Sequence, residues 1–127
     1  MKSKITTLVE NTVAQSGKKL IGEHGLSFYI ETQNNKILFD TGQNLAISNN
    51  AQVLGIDLSL IDTVILSHGH YDHTGGLKSL LECNRDFRLY AHPDVFGQKR
   101  RFNKAVIQLA TSLGMRQKLW TAAKWRV

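Results

Sequence analysis

The stretch Ile61–Leu77, IDTVILSHGHYDHTGGL, decides how this chain is read. Its first seven residues, IDTVILS (61–67), form a continuous apolar run of strand length, the pattern of a strand buried on both faces. That strand delivers the chain into His68, and four metal-ligating side chains follow within six positions: His68, His70, Asp72 and His73. Residues at i and i+2 of extended backbone project to the same side, so His68 and His70 can converge on one point. Asp72 and His73 come after a turn and can converge on a second point nearby. Gly69 lets the backbone pass close to a metal with no Cβ in the way, and Gly75 and Gly76 permit a sharp entry into a helix. Imidazole with carboxylate suits zinc, iron(II) or manganese, and the mixture is typical of catalytic rather than structural zinc. The end of a buried strand is also where α/β folds place ligands. Tyr71, between the ligands, reads as a packing residue.

Outward from this stretch the pattern alternates. KITTLVEN (4–11) and LSFYIET (26–32) read as strands, separated by a loop over 13–25. KILFDTG (36–42) reads as the return strand of a hairpin turning at Asn34-Asn35, since Asn tolerates positive φ. LAISNNAQVLGI (45–56) carries apolar residues at helical spacing, with Gly55 suited to its end. GGLKSLLEC (75–83) reads as a helix, and FRLYAH (87–92) as a strand ended by Pro93. FNKAVIQLATSLGM (102–115) has the spacing of an amphipathic helix, whereas RQKLWTAAKWRV (116–127) shows no clear element. Strands alternating with helices around an apolar central strand predict an α/β (α+β) chain with a mixed sheet and flanking helices.

Composition narrows the class. With 127 residues and 42% hydrophobic content the chain is one domain at most and has enough apolar residues for a core. No apolar run reaches the roughly 20 residues that cross a bilayer. The N-terminus MKSKITTLVENTV lacks a sustained apolar segment, so a cytoplasmic, membrane-free location is expected. A single cysteine, Cys83, excludes an internal disulfide, and its place in LKSLLEC predicts a small buried residue. Charge is uneven: residues 1–94 hold 8 Lys/Arg and 10 Asp/Glu, while residues 95–127 hold 8 Lys/Arg and no acid. The basic character belongs to the tail, which raises a nucleic-acid-binding reading. No aromatic-basic motif of a known type supports it, and nucleic acid is disfavoured as a partner.

The motif His68-x-His70-x-Asp72-His73 after an apolar strand resembles the signature of the metallo-β-lactamase superfamily, position by position. FDTG (39–42) is similar to the superfamily's segment ending an early strand, whose aspartate lies beside the metals. ENTV, GEHGLSFYIET, ILFDTG and LYAHPDVF resemble a subgroup of metal-dependent hydrolases that also includes dihydropterin–aminobenzene ribofuranosyl phosphate synthases. The resemblance covers roughly residues 4–98. It implies an N-terminal half (1–98) of a four-layer αβ/βα sandwich, followed by a basic, partly helical tail (99–127). It also implies two divalent ions, zinc before iron or manganese. His68 and His70 would hold the first, Asp72 and His73 the second. Two ions about 4 Å apart lower the pKa of a bridging water, which Asp72 or Asp40 would orient. Asp40 would also fit as a hydrogen-bond partner of a ligand imidazole, against a plain turn-capping role. His24 and His92 are candidates for contact with the metals or substrate, with a structural histidine as the other reading of each.

The superfamily draws further ligands from its second half, and this sequence has no histidine after His92 and no acid after Asp94. Each ion would keep two protein ligands where catalytic zinc takes three, so weak metal binding and little activity are expected of the chain alone. Without a second half an apolar sheet face would be exposed, favouring self-association or pairing with a complementing half. The tail's composition fits a truncated or frame-shifted gene. The expected parent activity is two-metal hydrolysis of a small-molecule substrate through activated water. The pterin-linked synthase, a transferase, is the alternative, with the nucleic-acid module behind both.

Overall fold

Six strands form one sheet, and their order in the sheet is their order in the chain. The computed structural model describes residues 2–13, 19–92, 95 and 119–120. Strand β1 (Lys4–Val9) pairs antiparallel with β2 (Ser27–Glu31), and β2 antiparallel with β3 (Lys36–Phe39). From there the pairing turns parallel: β3 with β4 (Thr63–Ile65), β4 with β5 (Arg88–Tyr90), and β5 with β6 (Leu119–Trp120). The expected α/β chain with a mixed sheet is what the structure shows. Strand β6 corrects the reading of 116–127 as featureless, and the helix expected over 102–115 lies outside the described residues.

The hairpin lies where the alternation predicted it, but its turn works differently. Glu31 faces Lys36, leaving a four-residue loop. The Thr32 hydroxyl accepts from the Asn34 and Asn35 N–H groups, and Thr32 N–H donates to the Asn35 carbonyl. Neither asparagine takes a positive φ; among the described non-glycine residues only Asp40 does. At the strand's far side Asp62 Oδ2 accepts from Lys36 N–H at 2.6 Å, tying the hairpin turn to the start of β4.

The connections from β3 to β4 and from β4 to β5 are the long crossovers that parallel pairing needs, and each carries a helix. Helix α1 (Ala46–Val53) joins β3 to β4 and ends at Gly55, whose φ of +69° permits the reversal. A 3₁₀ turn (Leu58–Leu60) follows, capped by Asp57, whose carboxylate accepts from Ser59 N–H. Helices α2 (Tyr71–Thr74) and α3 (Leu77–Cys83) join β4 to β5. One face of the sheet offers Tyr29, Leu38 and Val64 to Ile47 and Ala51 of α1 and to Leu77, Leu80 and Leu81 of α3, and these are all buried. Full burial of one such aliphatic side chain contributes about 1.5–3 kcal/mol. The opposite face carries the row Phe28, Phe39, Ile65 and Tyr90 in register, all half-buried. Strand β4 is therefore fully buried on one face only: Val64 and Leu66 are covered and Ile65 is half-open. Cys83 is exposed, not buried as its place in LKSLLEC suggested, because it falls at the last turn of α3 on the solvent side.

The glycines of the motif have tertiary reasons. Gly75 and Gly76 sit in ordinary helical backbone, with φ of −62° and −69°. A Cβ on Gly75 would lie 1.9 Å from the Gln43 carbonyl oxygen, and one on Gly76 equally close to that of Thr41. They allow the helix to lie against the chain leaving β3, rather than making a sharp turn. Gly69 likewise clears the backbone of Val95, whose carbonyl oxygen a Cβ would meet at 2.6 Å.

Candidate metal centre

Parallel pairing puts the C-terminal ends of β3 and β4 on the same edge of the sheet. Asp40 extends the ladder by one bond, its N–H donating to the Ile65 carbonyl at 2.8 Å. It then turns to φ 55°, a left-handed conformation that Asp, Asn and Gly adopt at least cost. The turn sends its fully buried carboxylate beneath the end of β4. There Oδ1 accepts from Ser67 N–H at 2.8 Å and Oδ2 accepts from the Ser67 hydroxyl at 2.6 Å.

The motif itself begins a helix. His70 is the N-cap of α2, and its carbonyl accepts from the N–H groups of His73 and Thr74 and from the Thr74 hydroxyl. Asp72 and His73, expected after a turn, thus stand on a short helix of their own. The His73 carbonyl accepts from both the N–H and the hydroxyl of Thr41. This fixes α2 to the chain after Asp40, and His73 Nδ1 lies 2.8 Å from Asp40 Oδ2.

The three imidazoles of the motif come together. The His68 ring centroid is 4.6 Å from that of His70 and 4.2 Å from that of His73. Asp72 Oδ2 stands 3.8 Å from His73 Nε2. Donor atoms of Asp40, His68 and His73 lie within 4.8 Å of one another. Asp40 is nevertheless a poor ligand, since its buried oxygens already take three hydrogen bonds. It suits the orientation of His73, whose Nε2 is left pointing toward Asp72. Burial, with the neighbouring His73 and His70, pushes the His68 imidazole below its ordinary value despite Asp40 and Asp72. His68 therefore keeps the neutral form that ligates metal to lower pH. Three imidazoles and a carboxylate, one imidazole fixed by a buried acid, form a donor set that fits a divalent ion.

The remaining candidates lie at the rim. His24 is exposed, but its neighbour Gly25 (φ +109°) rests on Asp72, where a Cβ would fall 1.7 Å from the carbonyl oxygen. His92 is exposed at the end of β5, and its carbonyl accepts from Val95 N–H. Sequence reasoning passed over Ser67. Its one signal was position, a hydroxyl between the strand and the first ligand.

Among the described residues, a mixed sheet with helices on one face and a His/Asp cluster at the ends of its parallel strands defines an α/β protein of the metallo-β-lactamase fold with a candidate metal site. A family profile described as the beta-lactamase superfamily domain matches residues 35–121, and the chain belongs to that superfamily. Among curated relatives, a 7,8-dihydropterin-6-methyl-4-(beta-D-ribofuranosyl)-aminobenzene-5'-phosphate synthase from Methanocaldococcus jannaschii is 42% identical over 99 residues, covering 73% of this chain and 33% of the relative. A crystal structure of a metal-dependent hydrolase of the beta-lactamase superfamily aligns with a TM-score of 0.58 at 35% identity, over 74% of this chain and 32% of that one. A metallo-beta-lactamase from Cronobacter sakazakii aligns with a TM-score of 0.52 at 25% identity, over 63% of this chain and 30% of that one. The chain spans 33% and 39% of the length of the first two curated relatives it matches. Among the described residues no helix is long and apolar enough to cross a membrane.

Proposed function

We propose that the chain carries the metal-binding half of a metal-dependent hydrolase acting on a small-molecule substrate. The observation that carries this reading is the convergence of His68, His70 and His73, with His73 held by the buried Asp40. His68 and His70 would hold one divalent ion, and Asp72 with His73 a second, zinc being the metal that this donor set suits best. Such ions supply Lewis acidity and activate water at neutral pH. The chain's own part is to present the imidazoles, to fix the His73 ring through Asp40, and to set Asp72 beside His73, where it can orient water. With two protein ligands per ion, affinity in the isolated chain is weak. The second reading, a pterin-linked phosphate synthase, is favoured by the 42% identical relative of that name. The half-buried row of Phe28, Phe39 and Ile65 supports pairing with a complementing half or a second copy.

Zinc titration of the purified chain against a chromophoric chelator tests the metal reading. The expected result is weak binding that His70→Ala abolishes. Binding that survives the substitution unchanged would sink it.

A further inference from the structure

The Ser67 hydroxyl stands between the Asp40 carboxylate and the first imidazole of the motif. Its oxygen is 2.6 Å from Asp40 Oδ2 and 2.8 Å from His68 Nδ1. A hydroxyl has one proton to give. A carboxylate oxygen at 2.6 Å takes it, because an ionised carboxylate only accepts. At the His68 contact the Ser67 oxygen must then accept, so His68 carries its proton on Nδ1. The same logic applies to His73, whose Nδ1 faces Asp40 Oδ2 directly. The partner of one ring nitrogen decides which nitrogen is left with a lone pair.

We propose that Ser67 is a positioning residue that extends the reach of Asp40 to a second imidazole. One buried carboxylate then fixes the tautomer of His68 through Ser67 and that of His73 by direct contact, leaving Nε2 of both open to a ligand. The two imidazoles stand in different half-sites of the metal reading above, so a single acid serves both. The backbone supports this arrangement, since Ser67 N–H also donates to Asp40 Oδ1 and holds the serine in place. The consequence for metal binding rests on the proposed function; the tautomers do not.

The test is made on the metal-free, ¹⁵N-labelled full chain by long-range ¹H–¹⁵N correlation of the imidazoles. His68 and His73 are both expected as the Nδ1–H form, the minor tautomer of free histidine. In Ser67→Ala His68 reverts to predominantly Nε2–H, in Ser67→Thr it stays Nδ1–H, and in both variants His73 is unchanged, which also reports an intact fold. A wild-type His68 found as Nε2–H overturns the proposal without any variant. So does a His68 tautomer unmoved in Ser67→Ala. Chelator competition adds the functional readout: Ser67→Ala is expected to weaken zinc binding about 10-fold or more, and Ser67→Thr to restore it. Absence of zinc binding in the wild type would overturn the metal reading and leave the tautomer assignment standing.

Discussion

At the scale of single residues the chemistry gathers on Asp40. Its side chain meets Ser67 twice and His73 once while wholly buried. Asp40→Asn keeps the left-handed turn but puts an amide NH₂ in place of one of the two oxygens that serve three donors. The expected outcome is a folded protein whose zinc affinity is lower by about 10–100-fold, the usual effect of losing the hydrogen-bond partner of a ligand. Chelator competition beside a thermal melt separates the two effects. The four candidate ligands of the motif stood out because their spacing is chemical information in itself. The reach of Asp40 was legible only as an acid ending an apolar strand. That it takes φ 55° and spans two imidazoles comes from the pairing of β3 with β4, which no local pattern encodes.

Elements were read well where hydrophobic period marked them. Strands β1 to β5 and helices α1 and α3 fall within their expected stretches, with frayed ends trimmed by one to three residues. Helix α2 escaped because its four residues are candidate ligands and their neighbours, YDHT, with no apolar rhythm to betray a turn. The hairpin's hold on β4 also went unread, since Asp62 gains its partners only in three dimensions. Partial burial acts to raise the Asp62 carboxyl, but hydrogen bonds from the Thr63 hydroxyl, Lys36 N–H and Asn35, with Arg88 nearby, bring it below the ordinary 3.8. With the folded value below the unfolded one, the unfolded chain takes up the proton first as pH falls. The stabilisation is complete well above pH 3.8 and disappears as pH drops through the folded value beneath it. Asp62→Ala should lose about 1–3 kcal/mol at neutral pH. Urea unfolding across an acid series should show the difference from wild type closing below pH 3.8; a constant difference would refute this account.

Across the whole molecule, Asn50 joins parts that are distant in sequence. From α1 its amide donates to the Leu8 carbonyl at 2.7 Å and the Ile21 carbonyl at 2.8 Å, while its oxygen accepts from Ile21 N–H. Glu23, two residues on, accepts from Ala46 N–H, and Gly25 rests on Asp72. Asn50→Ala strands the buried Leu8 carbonyl and frees the part-buried Ile21 groups, and is expected to cost about 1–3 kcal/mol. Faster amide exchange at Ile21 would mark the release of the 19–25 loop, and unchanged exchange there would contradict this role. The sequence could name Asn50 only as a polar residue in a helical pattern, because its partners sit 29 and 42 positions away. Strand order carries a different consequence. Because β1 to β6 stand in the sheet as they stand in the chain, every strand pairs with one already made. A ribosome releases the N-terminal residues first, so the sheet can grow by accretion with no early edge waiting on a distant partner. Asp40, Ser67, His68 and His73 have all left the tunnel before β5 does, and the ligand cluster can close while the rest of the chain is still being translated.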